Sequence, residues 1–153
     1  MSIHRAFLIV IGVTAVVTAA GATTLHSPSG HGGHHGHHQI RDVSTETPVP
    51  VIELSVDPDP MGGWNLHVDV QHFRFAPARV NGPHRPGEGH AHLYVDGHKV
   101  ARLYGPWFHL PSPGQGSHQL RVTLNANSHE ELAIGDEPIA ATIVVGVSTT
   151  DGS

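Results

Sequence analysis

Apolar and polar side chains alternate along residues 89–97, the stretch around which the rest of the chain is organised. Successive side chains of a strand point to opposite faces, so His90, His92 and Tyr94 share one face and the apolar residues between them share the other. The Asp-Gly pair at the end of this stretch favours a tight turn, since both central positions of such a turn adopt positive φ. We therefore predict a strand that turns and returns as a hairpin through residues 100–104.

Short alternating segments separated by turn residues fill the remainder of residues 51–147. The alternation is clearest from Trp64 to Val70, whereas Asn125 to Pro138 has the composition of a polar loop. No segment predicts a convincing helix, and the closest is a single turn that Ser128 would cap. The pattern predicts an all-β fold, namely an antiparallel β-sandwich of cupredoxin-like or immunoglobulin-like type with about seven or eight strands.

The N-terminal region has the features of an exported protein. Arg5 precedes an apolar run, and residues 20–22 (Ala-Gly-Ala) fit a small-x-small cleavage site. The run is short for a bilayer span of about 20 residues, so we expect a cleaved signal and a periplasmic or extracellular protein, with membrane attachment only if the signal is retained. The predicted segments are a signal peptide (residues 1–22), a disordered His-rich linker (23–50), the β-sandwich (51–147) and a disordered tail (148–153).

Composition excludes several classes of function. The chain has no cysteine, which rules out disulfides and the thiolate that a blue-copper electron-transfer centre requires. Its formal net charge is −5 with a single lysine, so no basic patch indicates a nucleic-acid partner. Dinucleotide-binding glycine motifs and a nucleophilic serine elbow are also absent from the sequence.

Sixteen histidines make a transition metal the leading candidate ligand, because imidazole is the commonest metal ligand in proteins and suits copper, zinc and nickel. On the predicted central strand, two imidazoles at positions i and i+2 can converge on one ion. The alternative is that this pair is ordinary polar surface. The predicted metal ligands are His90, His92, His109 and His129. The weaker thioether candidate is Met61, and the residues expected to orient the imidazoles are Asn125, Asn127 and Glu130.

Six further histidines lie in the predicted linker, where they can hold ions loosely. They are His26, His31, His34, His35, His37 and His38. Since imidazole binds a metal only when neutral, affinity at the folded site is expected to fall as the pH drops through about 6.5.

Four motifs resemble a group of poorly characterised bacterial secreted domains. They are the strand Gly87 to Gly97 with its Gly-His-Ala-His-Leu-Tyr-Val-Asp-Gly core, Arg102 to Trp107, the glycine-histidine turn Pro113 to His118, and the Asn-Ala-Asn-Ser-His loop that ends at His129. The resemblance implies a secreted β-sandwich of a kind that is sometimes discussed together with periplasmic copper proteins. The His-x-His strand is also similar to the copper strand of copper-zinc superoxide dismutase, although the disulfide cysteines and the zinc loop of that family are missing.

The leading hypothesis is a non-catalytic protein that buffers or delivers copper or zinc, with metal ions as its partners and another envelope protein as a further one. A second hypothesis is a structural or interaction module of the cell envelope, in which the histidines are surface and Trp64, Trp107 and Phe108 serve packing or partner contact. A third is a small copper oxidoreductase.

Overall fold

The computed structural model describes residues 39–147 and confirms the predicted all-β sandwich. No helix in these residues is long and apolar enough to span a membrane, and one short 3₁₀ turn lies at Pro77–Arg79. The strands are β1 (Ile40–Asp42), β2 (Val51–Pro58), β3 (Trp64–Gln71), β4 (Arg74–Phe75), β5 (Glu88–Val95), β6 (His98–Leu103), β7 (Trp107–Leu110), β8 (Gly116–Ala126), β9 (Glu131–Ile134), β10 (Glu137–Pro138) and β11 (Ala140–Val147).

The strands form two sheets of unequal size. Sheet A is curled and has eight strands, in the order β1-β9-β8-β5-β4, with β10 added to β9, β11 to β8 and β6 to β5. Sheet B has three strands in the order β2-β3-β7. Most neighbours are antiparallel, as predicted, but β1 with β9 and β4 with β5 are parallel. The strands beyond the predicted seven or eight include β1, β4 and β10, which are too short to show an alternating pattern.

Strand β5 lies in the middle of sheet A and forms the predicted hairpin with β6. Asp96 and Gly97 in the turn have φ of 50° and 81°, values that glycine adopts without strain and aspartate tolerates. On its other side β5 pairs with β8, and the two backbones approach closely at Gly89. A Cβ atom at Gly89 would lie 2.0 Å from the carbonyl oxygen of Asn125, so only glycine fits there.

The core lies between the apolar face of sheet A and sheet B. Leu93 on β5, Leu124 on β8, and Leu66 and Val68 on β3 are fully buried in it. Each such side chain contributes about 1.5–3 kcal/mol through removal from water. Because Ala91 and Leu93 supply the apolar face of β5, the intervening residues must point away from sheet B.

The structure corrects two predicted boundaries. The segment assigned to the disordered linker contains β1, which pairs with β9, and Val43, which is fully buried in the core. The predicted loop Asn125 to Pro138 contains β9 and β10. A strand of two to four residues with mixed side chains lacks the periodicity that identifies a strand in a sequence. The predicted signal peptide, the six histidines of the predicted linker and the predicted tail from residue 148 lie outside the described residues.

Candidate metal centre

The polar face of β5 is buried, although it points away from sheet B. His90 is fully buried and His92 is 2% exposed. Across the sheet, β8 places Asn125 opposite His90 and Thr123 opposite His92, and both of these side chains are also buried. The alternative that the His-x-His pair is ordinary polar surface is therefore wrong, because both side chains are buried.

The two strand histidines face each other through their Nε2 atoms, which are 3.0 Å apart. Metal–nitrogen bonds are about 2.0–2.1 Å long, so two ligand nitrogens on one ion lie about 2.9 Å apart at a right angle and about 3.3 Å apart at a tetrahedral angle. The observed spacing falls within this range. His90 and His92 can thus bind one ion with almost no movement of β5.

A third imidazole joins them from the turn between β8 and β9. One ring nitrogen from each of His90, His92 and His129 lies within 4.8 Å of the others, and His129 meets the His90 ring nearly edge-on at a centroid distance of 5.1 Å. The backbone N–H of His129 donates to the carbonyl oxygen of Ala126 at 2.9 Å, which fixes the turn with His129 at φ 83°. His90 and His92 are buried and His129 is half-buried, and we call the three residues together the buried histidine group.

Asn81 orients the ring of His129. The Nε2–H of His129 donates to Oδ1 of Asn81 at 2.6 Å, and since that oxygen only accepts, the proton belongs on Nε2 and Nδ1 keeps its lone pair. Nδ1 of His129 is buried and has no hydrogen-bond partner within residues 39–147. A hydrogen bond of this kind to the far nitrogen is the usual device that orients a metal-binding histidine.

Asn81 was not predicted from the sequence. It lies in the loop before β5 with φ of 69°, and its backbone N–H donates to the carbonyl oxygen of Asn127 at 2.9 Å. The available signal was the Asn81-Gly82 pair, because asparagine before glycine marks a tight turn and tolerates positive φ. A turn signal does not say which side chain the asparagine will meet, and His129 is distant in sequence.

Of the residues predicted to orient the imidazoles, Asn125 and Asn127 do so only indirectly. Asn125 accepts a hydrogen bond from the Thr123 hydroxyl at 2.8 Å and donates to the carbonyl oxygen of His129 at 3.5 Å, so it holds the turn rather than a ring. The side-chain atoms of Asn127 are buried without a partner among the described residues. Its backbone carbonyl oxygen accepts the hydrogen bond from the backbone N–H of Asn81 and so helps to position the residue that orients His129.

Burial keeps the strand histidines neutral. Burial, followed by the charges of His129 and Arg102, lowers the pKa of His90 from 6.5 to about 4. Burial and the charge of His90 lower the pKa of His92 to about 3. At neutral pH both rings are therefore uncharged, which is the form that binds a metal. Nδ1 of each is buried without a partner in residues 39–147, and an unpaired buried polar atom costs about 1–3 kcal/mol.

An open pocket of about 250 Å³ adjoins the group. Its wall includes Gln39, Lys99, Arg102 and Glu130 together with His92 and His129. Glu130 is paired with the guanidinium of Arg41 across this wall. Burial raises the pKa of Glu130, but hydrogen bonds and the charge of Arg41 outweigh that effect and lower it to about 2. The carboxylate is thus ionised, and it already forms an ion pair with Arg41.

The structure corrects the fourth predicted ligand. His109 lies on β7, which pairs with β3 in sheet B instead of returning beside β5. Its Nδ1 atom is 3.2 Å from Oδ1 of Asn65 and 3.6 Å from a carboxylate oxygen of Asp59. The candidate thioether, Met61, is 94% exposed in the turn after β2 and lies outside the group.

Comparison with protein families, with curated proteins and with solved structures found no match to this chain. Three imidazoles converge within the described residues, a hydrogen bond orients one of them, and a pocket reaches two of them. A group of this kind could hold a transition-metal ion, for which imidazole is a common ligand.

Proposed function

We propose that the protein is an exported metal-binding protein that buffers or delivers copper or zinc through His90, His92 and His129. The observation that carries the proposal is the convergence of two buried imidazoles, His90 and His92, with the half-buried imidazole of His129, one ring nitrogen from each lying within 4.8 Å of the others. Burying imidazoles without full hydrogen bonding is costly, so a group of this kind calls for a ligand that uses it. Exchange of an ion through the pocket fits buffering or delivery better than a closed structural site.

The first described residue lies in the wall of this pocket. Gln39 lines the pocket, and its carbonyl oxygen accepts the backbone N–H of Glu131 at 2.8 Å, which anchors the chain there. The linker histidines, residues 26–38, precede Gln39 in the sequence, and their proposed role is to capture ions loosely for transfer to the folded site.

The proposed metal site and the apolar core that stabilises the fold lie on opposite faces of β5. The apolar core lies on the opposite face of β5, where Leu93 packs against sheet B. Loss of the ion should therefore leave the sandwich folded, unlike the collapse expected when a structural zinc is removed from a small domain. A buffer needs this property, because the protein must survive both the loaded and the unloaded state.

The test is a calorimetric titration of the full chain in which the six linker histidines are replaced by serine, here called the linker-serine chain. We expect one Cu(II) or Zn(II) ion to bind per chain, and we expect His90→Gln in the same background to abolish that stoichiometric binding. His67→Gln is the matched control, because His67 is a partly buried strand histidine of sheet B. Equal binding by the His90→Gln chain would show that the group is not the site.

A further inference from the structure

Two exposed cationic side chains, Lys99 and Arg102, lie in the pocket wall. Lys99 and Arg102 line the pocket beside His92, and within residues 39–147 neither of them forms an ion pair or a hydrogen bond. Lys99 is the only lysine in a chain whose formal net charge is −5. Two positive charges therefore lie beside the place where a metal cation is proposed to bind.

Strand register puts both cations on the face that carries the histidines. Across the β5–β6 hairpin, Arg102 is paired with His92 and Lys99 with Tyr94. Directly opposite residues project from the same face of a sheet, with Cβ atoms about 4.5–5.5 Å apart. Lys99 and Arg102 are three residues apart, and the register of the hairpin shifts at an irregularity between Leu93 and Tyr94, which brings Lys99 opposite Tyr94.

The nearby carboxylates are already paired with other cations. Glu130 is paired with Arg41, and Glu131 is paired with Arg121 at 2.9 Å. None of these acids belongs to the buried histidine group. A divalent ion held by the three imidazoles would add two positive charges beside the exposed side chains of Lys99 and Arg102, and an anion bound between the ion and these cations would offset their repulsion.

We propose that the pocket binds a small oxyanion, which coordinates the metal through one oxygen and pairs with Arg102 and Lys99 through another. This inference rests on the proposed function. The planar guanidinium matches carboxylate and phosphate geometry, and charge-assisted hydrogen bonds of this kind are among the strongest that proteins make. The pocket volume of about 250 Å³ lies below the range usual for drug-sized ligands, so the anion is small. The protein would then carry its ion as a ternary complex.

The experiment loads the linker-serine chain with one equivalent of Cu(II) and titrates it with sodium acetate, sodium phosphate or sodium chloride at constant ionic strength. The visible absorption and the electron paramagnetic resonance spectrum of Cu(II) report the change of ligand directly. We expect a saturable spectral shift with an oxyanion, and at least about 10-fold weaker anion binding in the Lys99→Gln/Arg102→Gln double variant. Arg85→Gln is the control, because Arg85 is an exposed arginine outside the pocket wall.

The outcomes separate this inference from the function on which it rests. Failure of the linker-serine chain to bind either Cu(II) or Zn(II) would overturn both. Stoichiometric Cu(II) binding with no anion-dependent shift, or with equal shifts in the double variant, would overturn the oxyanion alone. An equal response to chloride would also overturn it, since chloride cannot bridge the metal and the guanidinium through two oxygens. The relative affinities for acetate and phosphate identify which oxyanion class the pocket prefers.

Discussion

Histidines occur on both sheets, and comparison of the two sets indicates which of them are suited to bind a metal. The buried histidine group has its ring nitrogens directed at one another. In the sheet B pair, His67 is half-buried and stacks on Trp107 with ring centroids 4.3 Å apart, and His109 is exposed and lies near Asp59. These two histidines lie on neighbouring strands, where their register partners are Trp107 and Asn65. The difference is that His90 and His92 are buried and lie with His129 in one convergent group of ring nitrogens, whereas His67 and His109 belong to no such group among the described residues.

The largest expected effect comes from removing ligands of the buried group. In the linker-serine chain, His90→Gln or His92→Gln should each lower metal affinity by more than about 100-fold, because loss of a ligand costs more than loss of the residue that orients it. The His90→Gln/His92→Gln double variant should add little to either single change, since the two residues share one ion. Competition with a chromophoric chelator measures these affinities.

The matched comparison replaces the sheet B pair in the same background. The His67→Gln/His109→Gln double variant should bind the ion within about twofold of the parent, because neither ring faces the group and distant sites act independently. A comparable loss of affinity in both double variants would erase the distinction between the two sets.

The next effect concerns the asparagine that contacts one histidine of each set. Asn81 accepts from His129, and Asn65 is 3.2 Å from His109. Asn81→Gly tolerates the positive φ and removes the acceptor, so we expect a loss of about 10- to 100-fold in metal affinity. Asn81→Asp keeps an acceptor oxygen and should restore most of the affinity. Asn65→Ser should leave affinity unchanged, and a similar loss there would contradict a specific role for Asn81.

The pH dependence of stability gives a smaller effect. The folded pKa values of His90 and His92, about 4 and about 3, lie below the ordinary value of 6.5. The unfolded chain therefore binds more protons than the folded chain, so the free energy of unfolding decreases as the pH falls from about 6.5 towards 4. The slope is up to about 1.4 kcal/mol per pH unit for each histidine.

Urea titrations of the metal-free chain between pH 7 and pH 4 measure this slope, and the His90→Gln/His92→Gln double variant should flatten it. The same pKa values revise the sequence-based expectation for metal binding. Protons should compete for His90 and His92 only near pH 4, well below the value of about 6.5 that an exposed imidazole would give. An unchanged slope in the double variant would show that other groups control the acid sensitivity.

The smallest effect is expected on the outer face of sheet B. Trp107 is 66% exposed and stacks on His67, so Trp107→Ala should lower the free energy of unfolding by about 0.5–1.5 kcal/mol. Metal affinity should stay constant in this variant. Thermal unfolding with and without the ion tests both statements, and a change in the metal-dependent shift of the melting temperature would connect sheet B to the site.

The sequence predicted the elements in which local pattern and turn chemistry agree. The β5–β6 hairpin followed from alternation and an Asp-Gly turn, and the shared face of His90 and His92 followed from the period of a strand. His109 was misplaced because the hairpin does not determine which sheet receives the next strand. Asn81 was missed because its contact with His129 joins two turns that are far apart in the sequence. Burial of the polar face also depends on tertiary packing that no local pattern encodes.

The pairing of β5 with β8 has a consequence for how this protein can change over time. His90 lies opposite Asn125 and His92 opposite Thr123, and a one-residue shift would turn both imidazoles into the apolar core. Substitutions at the apolar positions of β5 can therefore accumulate one at a time, whereas insertion or deletion of a single residue exchanges the two faces at once. Among homologues, we expect the number of residues between Gly89 and the turn at Asp96 to vary less than the identity of the apolar residues within that stretch.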